Sequence, residues 1–360
     1  YLRLREGRTG RSIKKRKIFM VITEQKLDQL REILGGAPKK MALLSHTNPD
    51  GDTIGAALAW RAYLERLGHT TRCIAPNRYP YFLEWMTDIG YIGVFKEDAD
   101  GEMAKFIGEA DVIFCMDFNQ INRLDRVTDT ATANTTAQRV LIDHHLHPPV
   151  DGYTVQFSDT HSCSTSYIVY QLIEALAGTD AIDQAMAEAL YVGIMTDTGN
   201  FSFSNLTSDL FRAVAVLIDR GVNVPYVNSS VYDNFSEGRM RLLGYMLNDK
   251  MVTDYRYGVA YVSLTEEEMR RFNFIQGDSE GFVNYPLSIR GIRMSAMFIQ
   301  TKHSIRVSLR SRGSDVDVNV FARRYFDGGG HRNAAGGKSY VSMDETLKNF
   351  HTYLKEYFGA

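Results

Sequence analysis

Short apolar runs alternate with helix-patterned stretches through the first half of this chain, and that alternation restricts its fold more than any other feature. Runs at 40–45, 71–75, 111–116 and 139–142 have the length of buried strands. Between the first two, 52–67 carries Ile54, Leu58, Tyr63, Leu64 and Leu67 at helical spacing, and Gly68 follows as a natural stop. Further helices are expected at 164–176, ending near Gly178, and from 183 to about 192. A βαβ alternation of this kind predicts an α/β fold in which a parallel sheet is covered by helices on both faces.

The texture changes after Arg220, where Gly221-Val222-Asn223-Val224-Pro225 and Asn228-Ser229-Ser230 interrupt the pattern. We expect one domain over 20–225, a connector over 226–255, and a smaller α/β domain over 256–360. The last has alternating strands at 259–264, 294–300 and 304–309 and helices near 315–326 and 343–357. A length of 360 residues with 44% apolar composition supports two such cores. Nothing resembles a spanning helix or a secretory apolar stretch, so no membrane association and a cytoplasmic protein are expected. Cys73, Cys115 and Cys163 are odd in number and unrelated in spacing, which argues for core residues over a disulfide framework or zinc cluster.

Residues 1–19 hold eight Lys or Arg against one acid, so the leader carries +7 and the rest of the chain about −9 of the net −2. The leader reads as a disordered, extended or mis-assigned start, with a nucleic-acid-binding arm as the alternative. A body of net negative charge is poorly suited to gripping a long nucleic acid through its phosphates, and favours a short substrate.

Three of the expected strands end in an acid or histidine: His46, Asp117, and Asp143-His144-His145. Ligand sites in open parallel sheets lie beyond the carboxyl ends of the strands, so these segments should converge. His46, Asp50 and Asp52 share one turn tightened by Pro49 and Gly51. Asp117 follows an apolar strand, where a carboxylate is seldom buried without compensation. Adjacent His144 and His145 point to opposite sides, one placed for a metal and one for substrate. Asp197, in Thr196-Asp197-Thr198-Gly199, is a fourth acid at an element end. Taken singly, each has an ordinary reading as a solvated turn, a capping acid or a structural histidine. Together they form a carboxylate and imidazole set suited to Mn2+ or a similar divalent ion. The set is large enough for two ions, which at about 3.5–4 Å apart can share a bridging carboxylate and activate water for phosphate ester hydrolysis.

In the second domain, Asp327-Gly328-Gly329-Gly330-His331-Arg332 precedes Asn333-Ala334-Ala335-Gly336-Gly337. Glycines let backbone amides approach an anion, and His331 and Arg332 add donors, so a phosphate or nucleotide should dock here ahead of a small-residue helix start. Arg310 is a second anion contact or an exposed arginine on an alternating strand.

These motifs, in this order, resemble the DHH phosphoesterase superfamily, named for the triplet that stands here as Asp143-His144-His145; the 328–337 segment resembles the motif of its DHH-associated C-terminal, substrate-binding domain. The resemblance implies a first Mn2+ on His46, Asp50 and Asp117 and a second on Asp52, Asp117, His144 and Asp197, with Asp117 bridging. It implies that His145 contacts the scissile phosphate and Asp143 orients the site. Arg310, Gly328, Gly329, Gly330, His331 and Arg332 would hold the rest of the substrate. Mg2+ or Co2+ are the alternative ions. The two-domain plan resembles the bifunctional oligoribonucleases and pAp phosphatases, or nanoRNases, which act on very short single-stranded RNA and 3′-phosphoadenosine 5′-phosphate. Alternatives are phosphodiesterases of cyclic or linear dinucleotides (c-di-AMP, pApA), RecJ-like single-strand exonucleases, and exopolyphosphatases or pyrophosphatases. A homodimer is left open. Asp327 departs from the family, which often has another glycine there.

Overall fold

The computed structural model describes residues 21–202 and 205–359; the basic leader at 1–19 lies outside the described residues. The first half forms a sheet of strands β1 (Lys40–Ser45), β2 (Thr70–Ala75), β3 (Ile92–Val94), β4 (Val112–Met116), β5 (Gln138–Asp143) and β6 (Val155–Ser158). Every pairing is parallel, in the order β3-β2-β1-β4-β5-β6. The chain winds outward from β1 to one side and from β4 to the other. Their carboxyl ends therefore flank the switch point, where a crevice opens.

Apolar side chains cover both faces of this sheet. Leu43, Phe114, Ile142 and Trp60 belong to one core, and Leu44, Ile113, Cys115 and Leu141 to the other. The crossover helix Gly51–Arg66 is buried nearly all round because helices Thr165–Ala177 and Gln184–Asp197 pack against it in addition to the sheet. Two glycines set that packing distance. A Cβ on Gly55 would lie 2.2 Å from Ala189 O, and one on Gly193 would lie 1.9 Å from Ser166 Oγ. Without those side chains the three helices close up around Asp52, whose Oδ1 would lie 3.0 Å from a Cβ on Gly193.

The second sheet comprises β7 (Val252–Asp254), β8 (Val259–Leu264), β9 (Met294–Gln300), β10 (Ile305–Ser311), β11 (Gly329–His331) and β12 (Ala334–Ser339) in the order β11-β12-β10-β9-β8-β7. Only β8 and β9 run parallel. Helices Val318–Tyr325 and Met343–Phe358 cover one face through Phe298, Val307, Phe321 and Phe350. Leu242 and Met246 of the connector pack on the other, against Val262, Met297 and Ile299. Strand β7 thus starts on the connector side of the boundary expected at 256.

The glycine-rich segment corrects the sequence expectation. The small residues that follow Arg332 start a strand instead of a helix; Gly329–His331 and Ala334–Ser339 form an antiparallel hairpin. Helix propensity of the alanines yields to strand pairing because only small residues fit: a Cβ on Gly328 would meet Gly336 O at 2.0 Å. The three cysteines are free and buried, and among the described residues no helix is long and apolar enough to cross a membrane.

Candidate active site

The carboxyl ends of β1, β4 and β5 deliver their polar residues to one point. Asp50 caps the helix Gly51–Arg66, accepting the amides of Asp52 and Thr53 through Oδ1 at 3.1 Å. Asp52, in the first turn of that helix, accepts the Thr165 amide at 2.7 Å and the Ser166 amide at 2.8 Å at the start of another helix. That places a carboxylate at the positive end of helix Thr165–Ala177. Asp117 follows β4 with φ +64°, and its amide donates to Ile142 O at 2.9 Å. A left-handed non-glycine residue is held only where its surroundings over-determine it. Asp197 is the last residue of helix Gln184–Asp197.

Asp117 stands between two groups of ligand-type atoms. Its Oδ2 lies 3.4 Å from His46 Nε2, and its Oδ1 lies 3.5 Å from His144 Nε2. His144 Nε2 also lies 3.8 Å from Asp52 Oδ2 and 3.5 Å from Asp197 Oδ2. Donor atoms of His46, Asp50 and Asp117 fall within 4.8 Å of one another, as do those of Asp52, His144 and Asp197. Atoms each about 2.1 Å from a shared ion would be spaced roughly 3–4 Å apart, so both groups fit a small divalent cation. The His46 ring supports the same reading: its Nδ1 donates to Thr47 O at 2.8 Å, which turns the Nε2 lone pair toward the group.

The charges in the cluster are poorly matched without a cation. Burial, then the charges of Asp117 and Asp197, push Asp52 well above the ordinary carboxylate range. Burial also raises Asp197, to about 7, against the pull of His144. Asp117 goes the other way: burial opposes it, but the neighbouring imidazoles of His46, His145 and His144 hold it low. Against its own burial, His144 is drawn up to about 9 by Asp197, Asp117, Asp52 and Asp143. Crowded carboxylates that raise one another's pKa are what a divalent ion relieves.

His145 sits beside this cluster, with Nδ1 2.7 Å from Asp143 Oδ1 and Nε2 3.0 Å from Arg123 Nη1. Burial pulls its pKa down despite Asp143. Across the crevice the His331 ring packs 4.9 Å from both His144 and His145. Burial and those two rings lower its pKa to about 3, so it is neutral. A cavity of about 300 Å³ lies between the two sheets, reached by Asp50, Asp117, His144, His145 and Asp197 on one side and by Ser308, Arg310, Gly329, Gly330 and His331 on the other.

Two residues expected to hold substrate are placed elsewhere. Arg332 is exposed at the hairpin turn and donates to Ser314 O at 2.6 Å, away from the cavity. Gly328 is occupied in strand packing against Gly336. Conversely, Thr53 and Thr165 escape sequence reading. Thr53 Oγ1 donates to Asp117 Oδ2 at 2.5 Å and lies 2.7 Å from His46 Nε2, while Thr165 Oγ1 donates to Asp117 Oδ1 at 2.8 Å. Their only sequence signal is a hydroxyl in the first turn of a helix, which is common for ordinary capping reasons.

Comparison with known proteins matches both halves. Residues 40–194 match the family model for the N-terminal domain of the DHH family, and residues 254–360 match the model for the DHHA1 domain. The bifunctional oligoribonuclease and PAP phosphatase NrnA of Bacillus subtilis is 29% identical over 68% of this chain and 76% of its own length. The Thermus thermophilus protein of the same name is 26% identical, covering 87% of this chain and 88% of its own. The crystal structure of an exopolyphosphatase-related protein from Bacteroides fragilis superposes with a TM-score of 0.87 at 36% identity, over 94% of this chain and 97% of that one.

Proposed function

Because this chain belongs to the DHH family, joining its N-terminal domain to a DHHA1 domain in a metal-dependent phosphoesterase, we propose that it hydrolyses phosphate esters in very short oligoribonucleotides and in 3′-phosphoadenosine 5′-phosphate, with two divalent ions and a preference for Mn2+. The observation that carries this reading is the two-sided Asp117 carboxylate, with Oδ2 facing His46 and Oδ1 facing His144. His46, Asp50 and Asp117 form one ligand set, and Asp52, Asp117, His144 and Asp197 the other. The imidazole and carboxylate mixture, without thiolate, supports Mn2+ over zinc.

Divalent ions in these sets would supply the positive charge that activates water at neutral pH and offsets charge on the phosphoryl oxygens. The chain's own contribution is placement. Thr53, Thr165 and the Thr165 and Ser166 amides hold Asp117 and Asp52 in orientation. His145, fixed by Asp143, faces the scissile phosphate, and Arg310, Gly329, Gly330 and His331 receive the rest of the substrate. Water adds across the P–O bond: its oxygen joins phosphorus, and the leaving oxygen departs with a proton.

Three features support a short substrate. The cavity, at about 300 Å³, is at the small end for ligand sites. The chain without its leader is acidic. The names of the Bacillus and Thermus relatives, oligoribonuclease and PAP phosphatase, point to the same class. The test is to strip metal with a chelator and restore Mn2+, Mg2+, Co2+ or Zn2+. kcat/KM is then compared for 3′-phosphoadenosine 5′-phosphate, a diribonucleotide, an RNA of about 24 nucleotides, a cyclic dinucleotide and pyrophosphate. The first two substrates with Mn2+ should lead by about tenfold or more. A long RNA in first place replaces this reading with an exonuclease, and pyrophosphate in first place with a pyrophosphatase.

A further inference from the structure

Arg123 lies in the short turn Ile121–Leu124, on the loop that leaves Asp117. Its carbonyl accepts the Thr47 amide at 2.8 Å, which ties the loop to the turn bearing His46 and Asp50. The side chain reaches the cavity wall and places Nη1 3.0 Å from His145 Nε2. It forms no ion pair among the described residues, although Asp50, Asp117 and Asp197 line the same cavity.

A guanidinium only donates. The Arg123 N–H therefore donates to His145 Nε2, and the ring proton sits on Nδ1, 2.7 Å from Asp143 Oδ1. Two consequences follow from donor and acceptor roles alone. While this bond stands, His145 has no N–H to offer a phosphate from Nε2. The remaining guanidinium donors, in a planar fork suited to phosphate oxygens, belong to a cation that forms no ion pair among the described residues.

We propose that Arg123 is a further catalytic residue: its guanidinium contacts the non-bridging oxygens of the transferring phosphoryl group, and Asp143 and His145 are positioning residues that aim it. The phosphate is then met by one arginine from each side of the cavity, Arg123 beside the carboxylate cluster and Arg310 across the cleft. This assignment rests on the phosphoesterase reading above for its substrate, but its phosphate contact can be measured without turnover.

The test uses the full chain loaded with Mn2+, comparing wild type, Arg123→Gln and Arg123→Lys. kcat and KM are measured on 3′-phosphoadenosine 5′-phosphate, binding of inorganic phosphate by calorimetry, and Tm for each protein. Arg123→Gln should lose roughly 10²-fold or more, mostly in kcat, and bind inorganic phosphate about tenfold or more weakly. Arg123→Lys should recover much of the phosphate affinity and less of kcat, because a point charge lacks the fork. Unchanged phosphate affinity in Arg123→Gln overturns the proposal, even with reduced kcat, since Arg123 would then only prop His145. If wild type turns over no phosphorylated substrate, the phosphoesterase reading falls and the phosphate titration still decides Arg123. If Arg123→Gln fails to fold, a kcat for Arg123→Lys within about threefold of wild type overturns the assignment.

Discussion

Around Asp117 the carboxylates of Asp50, Asp52 and Asp117 are held by backbone amides or hydroxyls, whereas the facing wall at 328–337 works through side chains it lacks. Asp117 takes hydroxyls from Thr53 and Thr165 on its two oxygens, and Asp52 takes two amides from a helix start. On the other wall, Gly328, Gly330 and Gly337 would each drive a Cβ to within 2.6 Å of a backbone oxygen. One wall fixes the position of charge, and the other leaves room for a ligand to approach backbone. The two should therefore fail differently: damage to the first should remove chemistry, and damage to the second should weaken binding.

The largest effect should come from Asp117→Ala. With no neighbour able to face both His46 and His144, kcat/KM should fall by about 10³-fold or more while the circular dichroism spectrum stays native. Activity within about tenfold of wild type removes the bridging role and with it the contrast between the walls.

Next is Gly193→Ala, which touches no ligand yet tests how the first wall is held. The new methyl would overlap Ser166 Oγ and lie 3.0 Å from Asp52 Oδ1. Tm should drop by several degrees, consistent with overpacking of about 1–3 kcal/mol. Mn2+ affinity should weaken by about 10- to 100-fold, as when support behind a metal ligand is lost. Normal metal affinity at a reduced Tm would show that the helices adjust without moving Asp52.

His331→Ala sharpens the comparison from the other side. KM should rise by about tenfold with kcat changed less, because the ring that is lost lines the cavity without belonging to either ligand set. A fall in kcat with KM unchanged would place His331 with the chemistry.

The smallest effect is expected at Glu268, remote from both walls. Against its partial burial, hydrogen bonds from Lys250, the Thr265 amide and Tyr245 lower its pKa from 4.5 to about 2. A lowered carboxyl pKa contributes stability that is present above the unfolded value and lost as pH falls through the folded one. Glu268→Gln should thus lower Tm by a few degrees at pH 7, with the difference from wild type narrowing as pH falls from about 4.5 toward 2. A constant difference across that range would mean the effect is packing or cap geometry rather than charge.

Much of the first wall is legible in sequence for a topological reason. Parallel strands expose their carboxyl ends together, so polar residues at 46, 117 and 144 after apolar runs are bound to meet. Short strands such as Ile92–Val94 and Val155–Ser158 have too few residues to show a period, and their pairing is decided by the neighbours they find. The hairpin at 329–339 is hidden because alanine and glycine carry no β signal; close backbone approach, a tertiary fact, selects them. Arg332 sits one residue past the cavity-lining His331, but the hairpin turn sends it to solvent, which spacing alone does not show. Arg123 is a lone arginine in an irregular loop, and only the proximity of His145 distinguishes it.

Gly55 and Gly193 carry no charge, touch no substrate and donate no ligand, yet the gap they leave between three helices is barely wide enough for a hydrogen atom. Over evolutionary time such positions should behave like ligands. In a deep set of relatives, columns 55 and 193 should be as invariant as column 117, and a lineage that drifts away from glycine at either should carry a compensating shrinkage at its contact, Ala189 or Ser166. The inheritance of this enzyme's chemistry would then depend as strictly on two missing methyl groups as on the acids themselves.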